Sequence, residues 1–360
     1  MKKISAIILL AAAATVAADA CTSMIVSGRA SASGRPLLWK HRDSSGDMNF
    51  VEHTAATDST RAFSALYNGG DSLLLDAWAG VNDAGFAVMN TASYNLAPDT
   101  ARLCDREGAV MALALGRCAT VADFEQLLLS LPRPMGVQAN FGVIDAHGGA
   151  AYFETHDHGF TRFDVDDTPD GVIIRTNYSC SGTPDAGMGY IRYDNACALA
   201  SDAIAAGAVT PELLTEGLSR SFYHSLLGCD AAADTTVRWV VDQDFIPRRS
   251  SVASVVVEGC APGDDPAAAV MWTVIGYPPC GHVVPATASA VPDELRPVLP
   301  GFTSPAAQES SRLLRLAFPI ARGSGSHYID MQALRPISDA QRALSLKAYD
   351  RYRTTHKPKQ

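Results

Sequence analysis

The sequence predicts an α+β protein in which antiparallel sheets are covered by helices. Three observations carry this. Strand-like runs come in neighbouring pairs joined by short turns rich in Gly, Asn and Asp. Helix-like segments come two at a time, not singly between strands. No Gly-rich phosphate loop follows a strand, as it would in a doubly wound parallel sheet. Composition agrees: of 360 residues 47% are hydrophobic, enough for a substantial core, and 28 Gly with 20 Pro supply the turns a sheet-rich chain needs.

The elements follow in order. Met1-Lys2-Lys3 is a short basic start, Ile4 to Ala17 is an apolar, small-residue run, and Ala18-Asp19-Ala20 has the A-x-A form of a signal-peptide cleavage site. The run is shorter than the roughly 20 residues of a membrane span. Residues 1–20 therefore read as a cleaved signal peptide, of bacterial type, and the product as a protein exported to the periplasm or secreted. Cys21 to Ser27 is rich in β-formers, Gly28 to Gly34 is a turn, and Arg35 to Lys40 is the returning strand. Leu73–Val81 and Gly85–Ala92 form a second strand pair around Asn82-Asp83-Ala84-Gly85. Glu107–Cys118 and Val121–Leu131 have helical spacing, the latter capped by Thr120. Asn140–Glu154 is strand, tight turn, strand, and Gly171–Asn177 is one more strand. Helices follow near Ile191–Ala206 and Pro211–Leu227, then strands Ser251–Glu258 and Ala267–Ile275. Val284–Ser304 is Pro-rich and irregular, and helices near Gln308–Ala317 and Asp339–Tyr352 close the chain. No internal repeat is visible.

The totals exclude some functions. A formal net charge of −9 argues against a nucleic-acid partner, and no Lys/Arg block suits a membrane surface. The eight cysteines are Cys21, Cys104, Cys118, Cys180, Cys197, Cys229, Cys260 and Cys280. None stands in a C-x-x-C, so ribbon-type zinc and thioredoxin-type motifs are absent. Pairing is not assignable from spacing; Cys229 with Cys260 or Cys280 is one arrangement. Thr155-His156-Asp157-His158 reads as surface polarity near a hairpin end, not as a metal site.

Cys21 carries the chemistry. A cysteine at a new N-terminus is a lipid anchor, half of a disulfide or a nucleophile. Ala18 and Asp19 make a poor lipidation signal. A freed α-amine has a pKa near 7.7–8.0, so it can take the proton of its own residue's thiol without a histidine. Trp39-Lys40-His41-Arg42-Asp43-Ser44, on the strand pairing with the Cys21 strand, offers a carboxylate to orient that amine and cations to hold a thiolate or substrate.

In these residues the chain resembles the cysteine-type N-terminal nucleophile (Ntn) hydrolases: choloylglycine hydrolases, penicillin V acylases, acid ceramidase and the acyl-CoA:6-aminopenicillanic acid acyltransferase group. Members begin Cys-Thr-Ser or similar and carry an Arg-Asn-x-Asp motif soon after; Cys21-Thr22-Ser23 and Lys40-His41-Arg42-Asp43 are similar in order and spacing. Asp43 takes the Asp position, and Lys40 falls where the family has Arg, with Arg42 the other cation on offer. Gly80 to Val88 resembles the family's G-x-N-E-x-G-L hairpin, with Asn90 just beyond it. Ala139 to Glu154 resembles an N-F-x-x-x-D-x-x-G hairpin in which Asp145 shapes the turn, and Arg175-Thr176-Asn177-Tyr178 resembles an element whose Asn amide donates to an oxyanion. Pro247-Arg248-Arg249 precedes a strand like that carrying a second family Arg, and Trp272 with Gly276-Tyr277-Pro278 matches a closing strand.

The resemblance spans roughly Cys21 to Pro285 and implies a four-layer αββα sandwich of two antiparallel sheets flanked by helices. It divides the chain into the signal peptide 1–20, an Ntn-hydrolase core 21–285, and a C-terminal extension 286–360 packed on that core. It implies an amidohydrolase cleaving linear, non-peptide C–N bonds of a small-molecule N-acyl amide through a thioester, with no metal or organic cofactor, no nucleic acid and no stable membrane insertion; a homo-oligomer stays open. Cys21 is nucleophile and base, Asp43 orients the amine, Lys40 or Arg42 with Arg248 or Arg249 supplies charge, and Asn177 with Asn90 or backbone N–H groups receives the oxyanion. Apolar residues around Phe63, Leu66, Tyr67 and Leu73–Trp78 are offered for an acyl pocket, with core packing an equal reading. Acyl transfer, dipeptide cleavage and a non-enzymatic exported lipoprotein are the alternatives.

Overall fold

A computed structural model describes residues 20–46, 48–96, 105–299, 302–322 and 326–356. Residues 1–19, which hold all but the last position of the expected signal peptide, and Cys104 lie outside them.

The first hairpin forms as expected. Strand β1 (Thr22–Val26) pairs antiparallel with β2 (Leu37–Asp43), in a register that sets Thr22 opposite His41 and Ser23 opposite Lys40. Strands β3 (Asn49–Thr54), β4 (Phe63–Asn68), β5 (Ala79–Asn82) and β6 (Ala87–Ala92) follow as a meander. Helices α1 (Glu107–Arg117) and α2 (Val121–Ser130) lead into β7 (Ala139–Ile144), β8 (Ala150–His156) and β9 (Gly159–Asp164). The chain then returns through β10 (Val172–Arg175) to helix α3 (Tyr190–Ala205). Short strands β11 (Tyr223–His224), β12 (Cys229–Asp230) and β13 (Trp239–Val241) precede the long β14 (Ser251–Glu258), β15 (Val270–Ile275) and β16 (Val284–Thr287). Helix α4 (Pro305–Ala317), strand β17 (Tyr328–Asp330) and helix α5 (Met331–Thr355) complete it.

Two large antiparallel sheets result, beside the two-stranded pairs β11-β12 and β13-β17. One runs β10-β1-β2-β14-β15-β16, the other β3-β4-β5-β6-β7-β8-β9. Side chains alternate across each strand with period two, and the alternation sorts them into layers. Ile25, Leu38, Val255, Val257 and Met271 of the first sheet meet Val51, Leu66, Val81, Met89, Ile144 and Tyr152 of the second. On its outer face the first sheet presents Met24, Trp39, Val256 and Trp272 to Ala196 and Ala200 of α3 and Tyr349 of α5. The second sheet turns Phe50, Val88, Phe141 and Phe153 toward Met111, Leu115, Phe124 and Leu128 of α1 and α2. The fold is therefore an α+β, four-layer αββα sandwich. Between the sheets Gly142 leaves no room for a side chain: a β-carbon there would stand 2.4 Å from Met89 Cε of its own sheet and 3.0 Å from Ile25 Cδ1 of the other. Among the described residues no helix is long and apolar enough to cross a membrane.

Several expectations are corrected. Leu73–Val81 is strand only from Ala79; before it the chain turns, leaving Leu73 and Leu75 exposed. β3, β4 and β9 went unread, because half-polar runs such as Asn49-Phe50-Val51-Glu52-His53-Thr54 alternate weakly. Pro211–Leu227 is not one long helix: a wide-turned segment at Leu213–Leu218 gives way to β11. Val284–Ser304 contains β16, an edge strand that tolerates Pro285. α5 begins eight residues before Asp339, at Met331, where the Asp330 carboxylate accepts from Gln332 N and Ala333 N; Pro336 is accommodated inside it. Phe63, Leu66 and Tyr67 belong to the cores between and behind the sheets. Cys229 is joined to neither Cys260 nor Cys280; all three are free, as are Cys21, Cys118, Cys180 and Cys197.

Candidate active site

The hairpin of β1 and β2 builds the site. Ser23 Oγ reaches Tyr152 OH across the sheets at 2.8 Å, and Ile25 sits in the inter-sheet core, so the odd positions of β1 face the second sheet. Cys21 shares that parity. On β2 the same face carries Leu38, Lys40 and Arg42. Cys21, Lys40, Arg42 and Asp43 open onto one cavity of about 430 Å³, whose other walls are Ser45, Trp78, Asn90, Ala92, Ser93, Tyr94, Asp105, Glu107 and Gln138.

The cations are held firmly. Lys40 Nζ donates to Asn90 Oδ1 at 2.6 Å and to the Trp78 carbonyl at 2.9 Å, and stands 5.6 Å from the Trp78 ring centroid. Arg42 Nη1 donates to Asn49 Oδ1 at 3.1 Å, and its guanidinium lies 4.7 Å over the same indole. Trp78 thus serves as a shared platform for two positive charges. Lys40 and Arg42, left as alternatives in the sequence, both line the cavity.

Asp43 is placed by a β-bulge. β14 pairs Ser254 with His41 and Ala253 with Arg42, then Ser251 with Asp43, so Val252 is an extra residue and the sheet bends where Asp43 ends its strand. Ser251 Oγ donates to Asp43 Oδ1 at 2.5 Å and lies 2.8 Å from His41 Nε2. Arg248 Nη2 pairs with Asp43 Oδ2 and also donates to the Ala20 carbonyl at 2.9 Å. Burial works against the Arg248 charge, but Asp43, Asp242 and Asp244 outweigh it and raise its pKa. Burial also lowers His41 to about 4, with Asp43 pulling the other way, so the imidazole is neutral at pH 7. Asp242, beside the same arginine, is pushed by burial up to about 6.

Arg248 and Arg249, equivalent in sequence, part in the structure. Arg249 is exposed and points toward the Phe318 ring at 5.9 Å, away from Cys21, so Arg248 alone meets Asp43. Asn177 is fully buried. Its Nδ2 donates to the Ala92 carbonyl at 2.9 Å and its Oδ1 accepts from Arg192 Nη2 at 2.7 Å, which places it behind the cavity, not in its wall. Asn90, by contrast, lines the cavity. Asp145 does shape its turn, accepting from His147 N and Gly149 N, and also caps α2 through Val121 N.

Sequence reasoning missed Arg192, on α3. It is 1% exposed and donates to the Cys21 carbonyl at 2.5 Å, to Thr22 Oγ1 at 2.9 Å and to Asn177. Burial lowers its pKa to about 10, and Arg248 adds to the effect. Nothing in the helix around Arg192 signalled this role, because its hydrogen bonds to β1 and Cys21 span 170 residues or more. Ser251, Asp105, Glu107 and Gln138 were missed for the same reason: each joins the site only by tertiary contact, whereas Trp78, at the end of the run offered for a pocket, does line the cavity. No group of three or more metal-ligating side chains occurs among the described residues.

No family model matches the chain, and no curated protein matches it in sequence. Among solved structures it is similar to the Caenorhabditis elegans ortholog of N-acylethanolamine-hydrolyzing acid amidase, with 11% identity, TM-score 0.41, and coverage of 66% of this chain and 92% of that one. It is also similar to a mutant of conjugated bile acid hydrolase from Clostridium perfringens, with 9% identity, TM-score 0.44 and coverage of 74% and 92%. A third is penicillin V acylase from Agrobacterium tumefaciens, with 12% identity, TM-score 0.39 and coverage of 74% and 86%.

Proposed function

We propose that this chain is an exported Ntn hydrolase that cleaves linear amide C–N bonds with Cys21 as its N-terminal nucleophile. One observation carries the reading. Arg248, held by Asp43, donates to the carbonyl of Ala20, the group acylating the nitrogen of Cys21, while the Cys21 side chain opens into a cavity beside two fixed cations. Removal of residues 1–20 replaces that amide with an amine on Cys21, which lines the same cavity as Asp43 and whose preceding carbonyl already meets Asp43's partner Arg248.

The chemistry follows from this placement. The Cys21 amine takes the thiol proton, and the thiolate attacks the amide carbonyl carbon. The oxyanion forms beside Asn90, whose Oδ1 is turned to Lys40, leaving its Nδ2 end to donate; Asn177 steadies the neighbouring Ala92 backbone. One such donor supplies about 3 kcal/mol of barrier reduction. The ammonium of Cys21 then protonates the leaving nitrogen as the C–N bond breaks, giving the free amine and a thioester at Cys21. Water, deprotonated by the same amine, attacks the thioester, releasing the acid and restoring the thiol. Asp43 positions the amine, and Ser251 and Arg248 position Asp43. Arg192 fixes the Cys21 carbonyl, so the nucleophile's backbone does not swing.

The test uses the mature chain beginning at Cys21, assayed on a panel of small N-acyl amides with Cys21→Ser and Cys21→Ala beside it. Both variants are expected to lose turnover. Full activity in Cys21→Ala overturns the proposal.

A further inference from the structure

Behind Asp43 lies a buried histidine with no task in the cleavage steps. His41 is fully buried on β2, and the buried Ser251 opens β14. Neither lines the cavity. The bulge at Val252 brings the start of β14 against the end of β2. There Ser251 Oγ lies 2.5 Å from Asp43 Oδ1, 2.8 Å from His41 Nε2 and 2.9 Å from Arg248 N. His41 Nε2 is itself 3.9 Å from Asp43 Oδ1, too far for a direct hydrogen bond. The imidazole therefore reaches the carboxylate only through the serine.

Counting donors and acceptors places every proton in this chain. A serine hydroxyl has one proton to give and two lone pairs to receive. The Asp43 carboxylate, paired with Arg248, accepts, so the Ser251 proton goes to Oδ1. The Arg248 backbone N–H donates and takes one lone pair of Oγ. His41 Nε2 is left with the second lone pair, so it carries the ring proton and donates. Its Nδ1 is then bare, and that atom is buried with no partner among the described residues. The surroundings keep the ring uncharged. Burial opposes a second proton, Arg248 and Arg192 add to that, and Asp43 alone works against them. Asp242 and Asp244 act on Arg248, not on the ring. The Trp39 indole stands edge-on to the imidazole, with ring centroids 6.3 Å apart.

This arrangement gives the Ser251 hydroxyl a single orientation. Both of its lone pairs are taken, so its proton stays on Asp43. Hydrogen bonds in a chain polarise one another, so donation from His41 strengthens the donation to Asp43. Donation to a carboxylate favours its charged form.

We propose that His41 is a positioning residue for cleavage at Cys21: its Nε2–H, acting through Ser251, fixes the Asp43 carboxylate that orients the Cys21 amine. This rests on the reading of Cys21 as nucleophile.

The experiment has two arms. The first needs no turnover. Nitrogen NMR of the histidine side chains is recorded on the mature chain at pH 7, with His41 identified by its loss in His41→Gln. A neutral ring protonated at Nε2 alone is expected; a proton on Nδ1, alone or with Nε2, overturns the proposal. The second arm measures kcat and KM across pH on a cleaved amide for wild type, His41→Gln, His41→Asn, Ser251→Ala and Ser251→Ala/His41→Asn. Gln sets an amide N–H near the place of Nε2, whereas Asn sets it near that of Nδ1. His41→Asn is expected to lose at least about five-fold in kcat with KM within about two-fold, and His41→Gln to recover most of that loss. The acid limb of the His41→Asn profile moves to higher pH, because Asp43 loses part of the donation that favours its charge. Ser251→Ala falls at least as far, and adding His41→Asn to it costs no more than about a further two-fold, since the path to Asp43 is already cut. A smaller loss in kcat, a loss carried by KM, an unmoved acid limb, no recovery in His41→Gln, or a full second loss in the double variant overturns the proposal. If no amide turns over, the rate of Cys21 alkylation by iodoacetamide, read by mass, replaces kcat under the same criterion. These outcomes leave Cys21 standing as long as Cys21→Ala is inactive. Activity in Cys21→Ala contradicts the nucleophile reading and leaves the tautomer of His41 untouched.

Discussion

Replacing Asp43 with Asn separates the two roles of that carboxylate. Asp43 is 2% exposed and pairs with Arg248, whose side chain is 20% exposed, while Ser251 Oγ donates to it at 2.5 Å. An Asn amide presents a donor where Asp43 receives two. Breaking a buried ion pair by removing one partner is destabilising by about 3–5 kcal/mol, and the remaining access of Arg248 to solvent and to Asp242 places this case near the lower end, about 3 kcal/mol. The double variant Asp43→Asn/Arg248→Met leaves no stranded charge, so it recovers about 1–2 kcal/mol of that loss, with a coupling energy well above the ~0.5 kcal/mol of independent sites. Urea unfolding of the four proteins of the cycle measures both quantities. In parallel, Asp43→Asn lowers turnover by at least about 100-fold, and the double variant does not regain it, because the amine of Cys21 has lost its positioning carboxylate. An Asp43→Asn protein within about 0.5 kcal/mol of wild type, or a strictly additive cycle, refutes the claim that Asp43 and Arg248 act as a buried pair.

Two further outcomes follow from the same cluster. Arg248→Met is expected to reduce kcat/KM by two orders of magnitude or more, while Arg249→Met stays within about two-fold and within about 0.5 kcal/mol in stability, since it is an exposed side chain away from the cavity; equal effects would mean that the two arginines are not distinguished as their positions indicate. His41 has its pKa lowered to about 4, so between 6.5 and 4 the unfolded chain binds a proton that the folded chain does not. Its contribution to stability is full above pH 6.5 and is lost as pH falls toward 4. Asp242, raised to about 6, acts in the opposite sense, so only the difference from a variant isolates the histidine. Between pH 7 and pH 4.5, urea unfolding of His41→Gln should gain about 2 kcal/mol relative to wild type; a gap that does not change with pH would show that His41 titrates normally.

The layers were legible because alternation writes itself into single strands: Met24, Val26 and Trp39 fall on one face, Ile25 and Leu38 on the other. Strands with weak alternation, such as β3, were not. That Cys21 and Asp43 come to one cavity was legible because they share one hairpin, so nearness in sequence implies nearness in space. Arg192, Ser251 and Glu107 were illegible for the converse reason. They reach the site from α3, β14 and α1, and only the packing of two sheets brings them there. The choice between Arg248 and Arg249 lies in between: the sequence placed the pair before β14, but the bulge at Val252 and the approach to Phe318 decide which one turns inward. Of the apolar residues offered for a pocket, Trp78 lines the cavity while Phe63, Leu66 and Tyr67 pack the cores, because an apolar cluster reads alike in either place.

The central claim is that a freed Cys21 forms a covalent bond to the acyl group of an amide. The most direct measurement is the intact mass of the mature chain, acid-quenched during turnover of a cleaved amide, followed by peptide mapping. The account predicts a chain starting at Cys21 that carries one acyl group, as a thioester, on the Cys21 peptide. A fully active chain that carries no acyl adduct under rate-limiting deacylation, or that carries it on another residue, contradicts the account.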